Sequence, residues 1–363
     1  MNHFDAMGRA IELARKGWGR VSPNPMVGAL VLQGDRVVAE GWHAEFGGPH
    51  AEAVALAKAG PEARGATVVV TLEPCNHQGK QPPCTEALIA AGVARVVAAV
   101  PDPNPEAGGG AERLREAGIE VEFGVREDEA RALNGIFFHR YAGLGRPFVA
   151  LKLATTLDGR IADQTGRSRW ISGEEARDYV HWLRAGFDAI AVGGHTARVD
   201  NASLTVRGDI EPRRPPTRVV FDRRGELPDA LGLVQTAADL PTVLVTELVG
   251  PSVHLARLEE AGVTVSRVGS LAEGLSTLHQ LGISSLLVEG GGRLAGALLE
   301  AGAVDRYYWI QAPVWLGDEG IPAITGYAGT TLVEAERWSV VERRALGQDT
   351  LLVVDREPCS LGS

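Results

Sequence analysis

Apolar side chains recur along this chain in two rhythms, one of three to four residues and one of two, and together they divide it into helices and strands. Phe4, Met7, Ile11 and Ala14 are spaced as one stripe, with Asp5, Arg9 and Glu12 between them, which predicts an amphipathic N-terminal helix. Met26 to Val31 and Arg36 to Glu40 predict two strands turning back through Gly34-Asp35. The order then continues as helix 51–59, strand 66–71, helix 84–91, strand 95–100, helix 111–117, strand 119–123 and helix 127–141. That alternation predicts a three-layer α/β domain. Two glycines and a proline in the segment Tyr141 to Pro147 stop the last helix before Phe148 begins a fresh apolar strand, so the domains are expected at 1–145 and 146–363.

The second stretch predicts a strand from Phe148 to Ala154, helix 174–185 and strands 188–193, 217–221 and 242–246. Helices 252–261 and 271–281, strand 284–288 and helix 291–300 follow. Strands at 305–311, 337–344 and 349–354 close the series, the last two joined antiparallel through Leu346-Gly347. A mixed sheet fits this order better than a purely parallel one.

Composition narrows the function. The chain has 363 residues, 45% of them apolar and 23% charged, as in ordinary globular proteins of more than one core. No run approaches the ~18 apolar residues of a membrane span, and the N-terminal pattern is a charged amphipathic helix rather than a secretory leader, so the expected compartment is the cytoplasm, without membrane attachment. A net charge of −10 argues against a nucleic-acid partner, which would call for a basic face, yet leaves one or two local arginines free to hold a single phosphate. Of three cysteines, Cys359 stands alone in a Gly/Ser-containing tail, so no disulfide framework is expected.

The other two carry the strongest chemical signal. Pro49-His50-Ala51-Glu52 opens a predicted helix, 24 residues separate His50 from Cys75, and eight more separate Cys75 from Cys84 at the start of another helix. One imidazole and two thiolates make a catalytic zinc set with an open fourth position, and Glu52 beside them is the proton carrier of the His-x-Glu with Pro-Cys deaminase signature. Two plainer readings compete: buried cysteines with no metal, or a closed structural site completed by His77, neither of which has a use for Glu52.

A second site is expected where the strand Leu286 to Glu289 runs into Gly290-Gly291-Gly292 and a helix, a turn whose amides suit a diphosphate. Ala191-Val192-Gly193-Gly194-His195-Thr196 is a second strand-to-glycine junction of the same kind. A tight turn with no ligand is the bland alternative. Lys152, Asp200 and Glu289 are charged residues near apolar strands, and Arg184 and Arg207 suit a phosphate-bearing substrate.

Taken together these residues resemble the bifunctional riboflavin-biosynthesis family, a pyrimidine deaminase fused to a ribosylaminouracil reductase. The resemblance covers nearly the whole chain. It is carried in the first half by Pro23-Asn24-Pro25, Gly41-Trp42-His43, Pro49 to Glu52, the block Thr71 to Cys84 with its long loop between the cysteines, and Asp102-Pro103-Asn104-Pro105. In the second half it is carried by Lys152-Leu153-Ala154, Leu157 to Arg160, Ser168 to Ile171, Asp200 with Leu204 to Arg207, and Val288 to Gly291.

The resemblance implies a cytidine-deaminase-like first domain and a dihydrofolate-reductase-like second domain, using Zn2+ and NADPH respectively. The implied substrate is 2,5-diamino-6-ribosylamino-pyrimidinone 5′-phosphate, deaminated by the first domain and then reduced from ribosyl to ribityl by the second. Asn24 and His43 would meet the base or sugar, His77 and Lys80 the phosphate, and Asp102 and Asn104 the ribose. Ala154, Trp170, Thr196, Asp200 and Gly290 to Gly292 (the triplet Gly290, Gly291, Gly292) would line the cofactor. Ser168, Arg184, Leu204, Arg207 and Glu289 would face the second substrate, with Lys152, Asp200 and Glu289 moving protons.

The chain departs from the family in three places. Ala202 follows Asp200-Asn201 where proline is common, Arg223 stands where a small hydroxyl residue is common, and the loop at 108–110 is about one residue short. Arg223 is expected to hold the cofactor's 2′-phosphate. The expected assembly is a homo-oligomer, dimer or tetramer. The rivals are a monofunctional deaminase with an inert dimerising second domain, a tRNA adenosine deaminase, and a non-enzymatic zinc scaffold.

Overall fold

In a pleated strand successive side chains leave on opposite faces, and a strand buried on both sides therefore needs an unbroken apolar run such as Val68-Val69-Val70. In the computed structural model, which describes residues 1–356, the chain forms two units, Met1–Gly143 and a second that starts at Leu144. The first unit holds a five-stranded sheet in the order Arg36–Trp42, Gly28–Gln33, Thr67–Val70, Arg95–Ala98, Glu120–Glu122. The first two pairings are antiparallel and the last two parallel. Ala29, Val31, Val68, Val70, Val96 and Ala98 point to one face, under the helices Ala51–Ala59, Cys84–Ala91 and Gly110–Glu116. Leu30, Leu32, Val69 and Val97 point to the other, under the helix His3–Ala14. Three layers result.

The helix expected over 127–141 is two helices, Glu127–Leu133 and Gly135–Tyr141. Asn134 breaks it. Its buried side chain accepts from the Met26 amide at 2.8 Å and donates to the Met26 carbonyl at 2.9 Å, and the backbone leaves helical geometry (φ −104°, ψ 25°) to aim it there. The first hairpin runs later than its hydrophobic pattern suggests, because a bulge between Val31 and Leu32 carries the pairing on to Gln33 and Arg36.

The second unit is built on a nine-stranded mixed sheet. Its order is Val263–Arg267, Thr242–Thr246, Thr217–Phe221, Ala189–Gly193, Ser285–Glu289, Phe148–Thr155, Arg306–Gln311, Asp349–Arg356, Trp338–Leu346. The first seven run parallel, and an antiparallel hairpin at Gly347 finishes the edge. Val149, Leu151, Val245, Leu286 and Val288 pack with Leu275, Leu278, Ala295 and Leu298 on one face. Ile190, Val192, Val220 and Leu244 pack with Ala197, Leu233, Leu255 and Leu258 on the other.

Three further elements, each seven residues or shorter, are not expected from the sequence. Val263–Arg267 is an edge strand with alternating polar residues, and Gly194–Asp200 is a helix opened by two weak helix formers. Arg160–Ala162 pairs only with the two residues Ile321–Pro322. Cys359 lies outside the described residues. No helix among them is long and apolar enough to cross a membrane.

Candidate active sites

His50 is the cap residue of the helix Ala51–Ala59, and Cys84 is the first residue of the helix Cys84–Ala91. Cys75 sits in the turn after the central strand, held by the Thr85 amide on its carbonyl at 3.3 Å and by the Cys84 amide on its sulfur at 3.5 Å. Both helices thus aim their positive ends at the same point. The His50 Nδ1 lies 3.3 Å from Cys84 Sγ and 3.5 Å from Cys75 Sγ. A tetrahedral zinc with bonds of about 2.0 Å to nitrogen and 2.3 Å to sulfur needs nitrogen–sulfur separations of about 3.5 Å, so the three donors fit that ion. Among the described residues the metal-competent group is these three alone, and His77 is not part of it.

Cys75 is drawn down to about 4 by the Cys84 thiol donating to it and by His50, whereas Cys84 is pushed up by that same hydrogen bond and by burial. A divalent ion turns this pair into two thiolates. Glu52 is 3% exposed, and burial, then the Cys75 charge, raises its pKa. A carboxyl so placed takes up a proton more readily than an ordinary one, as a proton carrier must.

Around this centre, His43 is buried and uses both ring nitrogens: Nδ1–H donates to the Pro49 carbonyl at 3.0 Å, and Nε2 accepts from Asn24 at 3.2 Å. Asp102 is raised to about 6 by burial, then by Glu73 and Cys75, while His77 pulls it the other way. Asn104 donates its amide to Asp102 at 2.8 Å. Lys80 is exposed on the loop between the cysteines, with its ammonium 4.1 Å from the centre of the Phe46 ring.

Glu73 escaped the sequence reading. It is buried and accepts from the Asp102 amide at 3.1 Å and the Ala111 amide at 2.9 Å, tying the Cys75 turn to the 102–111 segment. Its one signal was a charge between apolar residues at a strand end.

In the second unit the register sets Glu289 directly beside Lys152 on the neighbouring strand. Their charged atoms are 3.9 Å apart, and Arg184 grips the same carboxylate at 2.5 and 2.9 Å. Burial works to raise Glu289, but Arg184 and then Lys152 hold it at about 2. Burial lowers the Lys152 pKa and Arg184 lowers it further, against the pull of Glu289. A fixed carboxylate therefore stands beside an ammonium that releases its proton more easily than an ordinary lysine.

These three groups open into one cleft of about 2330 Å³, which also takes in Ala154, Ser168, Trp170, Thr196, Asp200, Leu204, Arg207, Arg223 and Gly290 to Gly292. Ordinary single-ligand pockets hold about 300–1,000 Å³, so there is room for a dinucleotide and a substrate together. The glycine turn is a close-approach surface. Gly290 and Gly291 have φ of +79° and +87°, and a Cβ on Gly291 would stand 3.2 Å from the Thr196 hydroxyl. The residues fit a dinucleotide phosphate at the start of the helix Gly292–Glu300.

Asp200 ends the helix Gly194–Asp200, its carbonyl accepting from Arg169 at 2.8 Å. Trp170 is 69% exposed, with the Arg177 guanidinium 4.7 Å from its ring centre. Arg223 reaches solvent at the mouth and pairs with Glu247 at 2.8 Å. Asn201 does without the following proline: at φ +42° its side chain accepts from the Gly232 amide at 2.9 Å and so ties the loop down.

Comparison with known proteins agrees with both halves. Residues 147–352 match the family model described as the RibD C-terminal domain, and residues 1–100 that of the cytidine and deoxycytidylate deaminase zinc-binding region. The chain is 41% identical over 352 residues to the riboflavin biosynthesis protein RibD of Aquifex aeolicus, covering 96% of each. It is 39% identical over 361 residues to that of Escherichia coli, covering 95% of this chain and 97% of the relative. Among solved structures, Acinetobacter baumannii RibD (form 1) superposes with a TM-score of 0.81 at 38% identity, covering 98% of this chain and 99% of the other. The diaminohydroxyphosphoribosylaminopyrimidine deaminase/5-amino-6-(5-phosphoribosylamino)uracil reductase of Thermotoga maritima gives 0.80 at 38% identity, covering 98% of each.

Proposed function

The chain belongs to the RibD family, the bifunctional deaminase–reductases of riboflavin biosynthesis, and on that premise we propose how its own residues divide the work. It is a zinc-dependent deaminase fused to an NADPH-dependent reductase. The deaminase work is assigned to residues 1–145 and the reductase work to 146–363. The substrate is 2,5-diamino-6-ribosylamino-pyrimidinone 5′-phosphate, and the product of both steps is 5-amino-6-(5-phosphoribitylamino)uracil.

His50, Cys75 and Cys84 hold the zinc, which when bound makes water a nucleophile near neutral pH. Glu52 accepts the proton of the attacking water, passes it to the ring nitrogen and delivers one to the leaving amine. Asn24 takes the base, oriented by its hydrogen bond to His43, whose ring edge completes that wall. His77 and Lys80 hold the phosphate, and Asp102 and Asn104 the ribose. The single observation that carries this half is the buried Glu52 carboxyl beside a three-donor cluster.

In the cleft, NADPH when bound supplies the hydride for the sugar's anomeric carbon. Gly290 to Gly292, Thr196, Ala154, Trp170 and Asp200 line the cofactor, and Arg223 reads its 2′-phosphate. Ser168, Arg184, Leu204, Arg207 and Glu289 face the sugar phosphate. Glu289 keeps Lys152 oriented, and Lys152 and Asp200 move the protons that ring opening requires. The protein works in the cytoplasm as a homo-oligomer, dimer or tetramer.

The test is to incubate the purified protein with the diaminopyrimidine phosphate, with and without NADPH, following ammonia and cofactor absorbance separately. Ammonia is expected in both arms and cofactor oxidation only with substrate present. Ammonia without any oxidation would favour the monofunctional reading.

A further inference from the structure

Ser203 to Arg207 lies outside regular structure, yet this segment lines the reductase cleft and carries Arg207. Two side chains one turn apart on the helix Glu174–Arg184 hold it. Arg184 Nη1 donates to the Thr205 carbonyl at 2.8 Å, and His181 Nδ1 accepts from the Arg207 amide at 3.2 Å. Between the two clamps and Leu204, which is buried at φ +51°, the backbone of the segment has little freedom.

An Nδ1 that accepts puts the ring proton on Nε2, and a protonated ring would lose the bond. Charged groups face the ring from three elements: Asp178 and Arg184 on its own helix, Arg207 on the segment, and Glu289 on the strand. Burial, then the two arginines, lowers the His181 pKa and keeps the ring in its accepting form.

We propose that His181 is a positioning residue for the reductase half, acting through the Arg207 amide to hold the segment that presents Arg207 to the substrate's phosphate. It rests on the reading that this cleft takes a sugar phosphate. A loose segment would still carry the guanidinium, but binding would first have to order it.

Ribose 5-phosphate is the probe, titrated calorimetrically into the full-length protein, with NADP+ as a control ligand. His181→Leu removes the acceptor, His181→Gln moves it to the far side of the ring position, and His181→Asn leaves an oxygen close to where Nδ1 was. Leu and Gln are expected to weaken ribose 5-phosphate about tenfold. Asn should retain affinity within about threefold, with NADP+ affinity unchanged in all. In turnover the loss should fall on KM rather than kcat. Wild-type affinity in the Leu or Gln variant, or equal loss in Gln and Asn, overturns the proposal. Arg207→Ala separates the two levels: if it leaves the binding of ribose 5-phosphate unchanged, the reading of the cleft fails first.

Discussion

At the scale of single residues, two buried carboxylates are shifted in opposite directions. Glu52 is raised because burial and a neighbouring thiolate oppose its charge, and Glu289 is lowered because Arg184 and Lys152 outweigh its burial. Glu52→Gln keeps the shape and removes the proposed proton carrier, so zinc content should stay at one per chain while ammonia release falls about 10²- to 10⁴-fold. Metal analysis and an ammonia assay on the same sample check this. For Glu289 the sign of the linkage is fixed by its direction. A carboxyl held at about 2, below its ordinary 4.5, adds stability above pH 4.5 that is lost as pH falls toward 2. Glu289→Gln strands Arg184 and should cost about 3–5 kcal/mol at pH 7. Urea unfolding at pH 7 and pH 3 should show that cost shrinking in acid.

At the scale of elements, the metal site depends on how closely helices approach turns. A Cβ on Gly110 would lie 1.9 Å from the Pro74 carbonyl oxygen, one residue before Cys75, so the helix Gly110–Glu116 touches that turn without any side chain between them. Gly110→Ala must push the turn or the helix away. Zinc affinity, measured by competition with a chromophoric chelator, is expected to fall about 10- to 100-fold, as for other changes that disturb the support of a ligand. The short loop at 108–110 fits this contact: Gly109 turns at φ +82°, and Gly110 starts the helix directly against Pro74.

On the scale of the whole molecule, the two chemistries draw on separate stretches of chain. The three residues that could hold the metal fall before residue 85, and the cleft is lined from Lys152 to Thr325. Removing zinc with a chelator should stop ammonia release while NADPH oxidation on the deaminated substrate continues, which absorbance on that substrate alone would show. The sequence by itself determined the two α/β halves, because side-chain periodicity is local and each strand or helix declares its buried face within a few residues. It also pointed to His50, Cys75 and Cys84 as zinc donors with Glu52 beside them, since the His-x-Glu and Pro-Cys signature is a local spacing, and the three donors do come together. Tertiary structure alone decided that Lys152 stands beside Glu289, that Asn134 breaks a helix to bond Met26, and that Glu73 braces the Cys75 turn. Those contacts depend on strand register and on partners far away in the chain, which no local stretch of sequence contains.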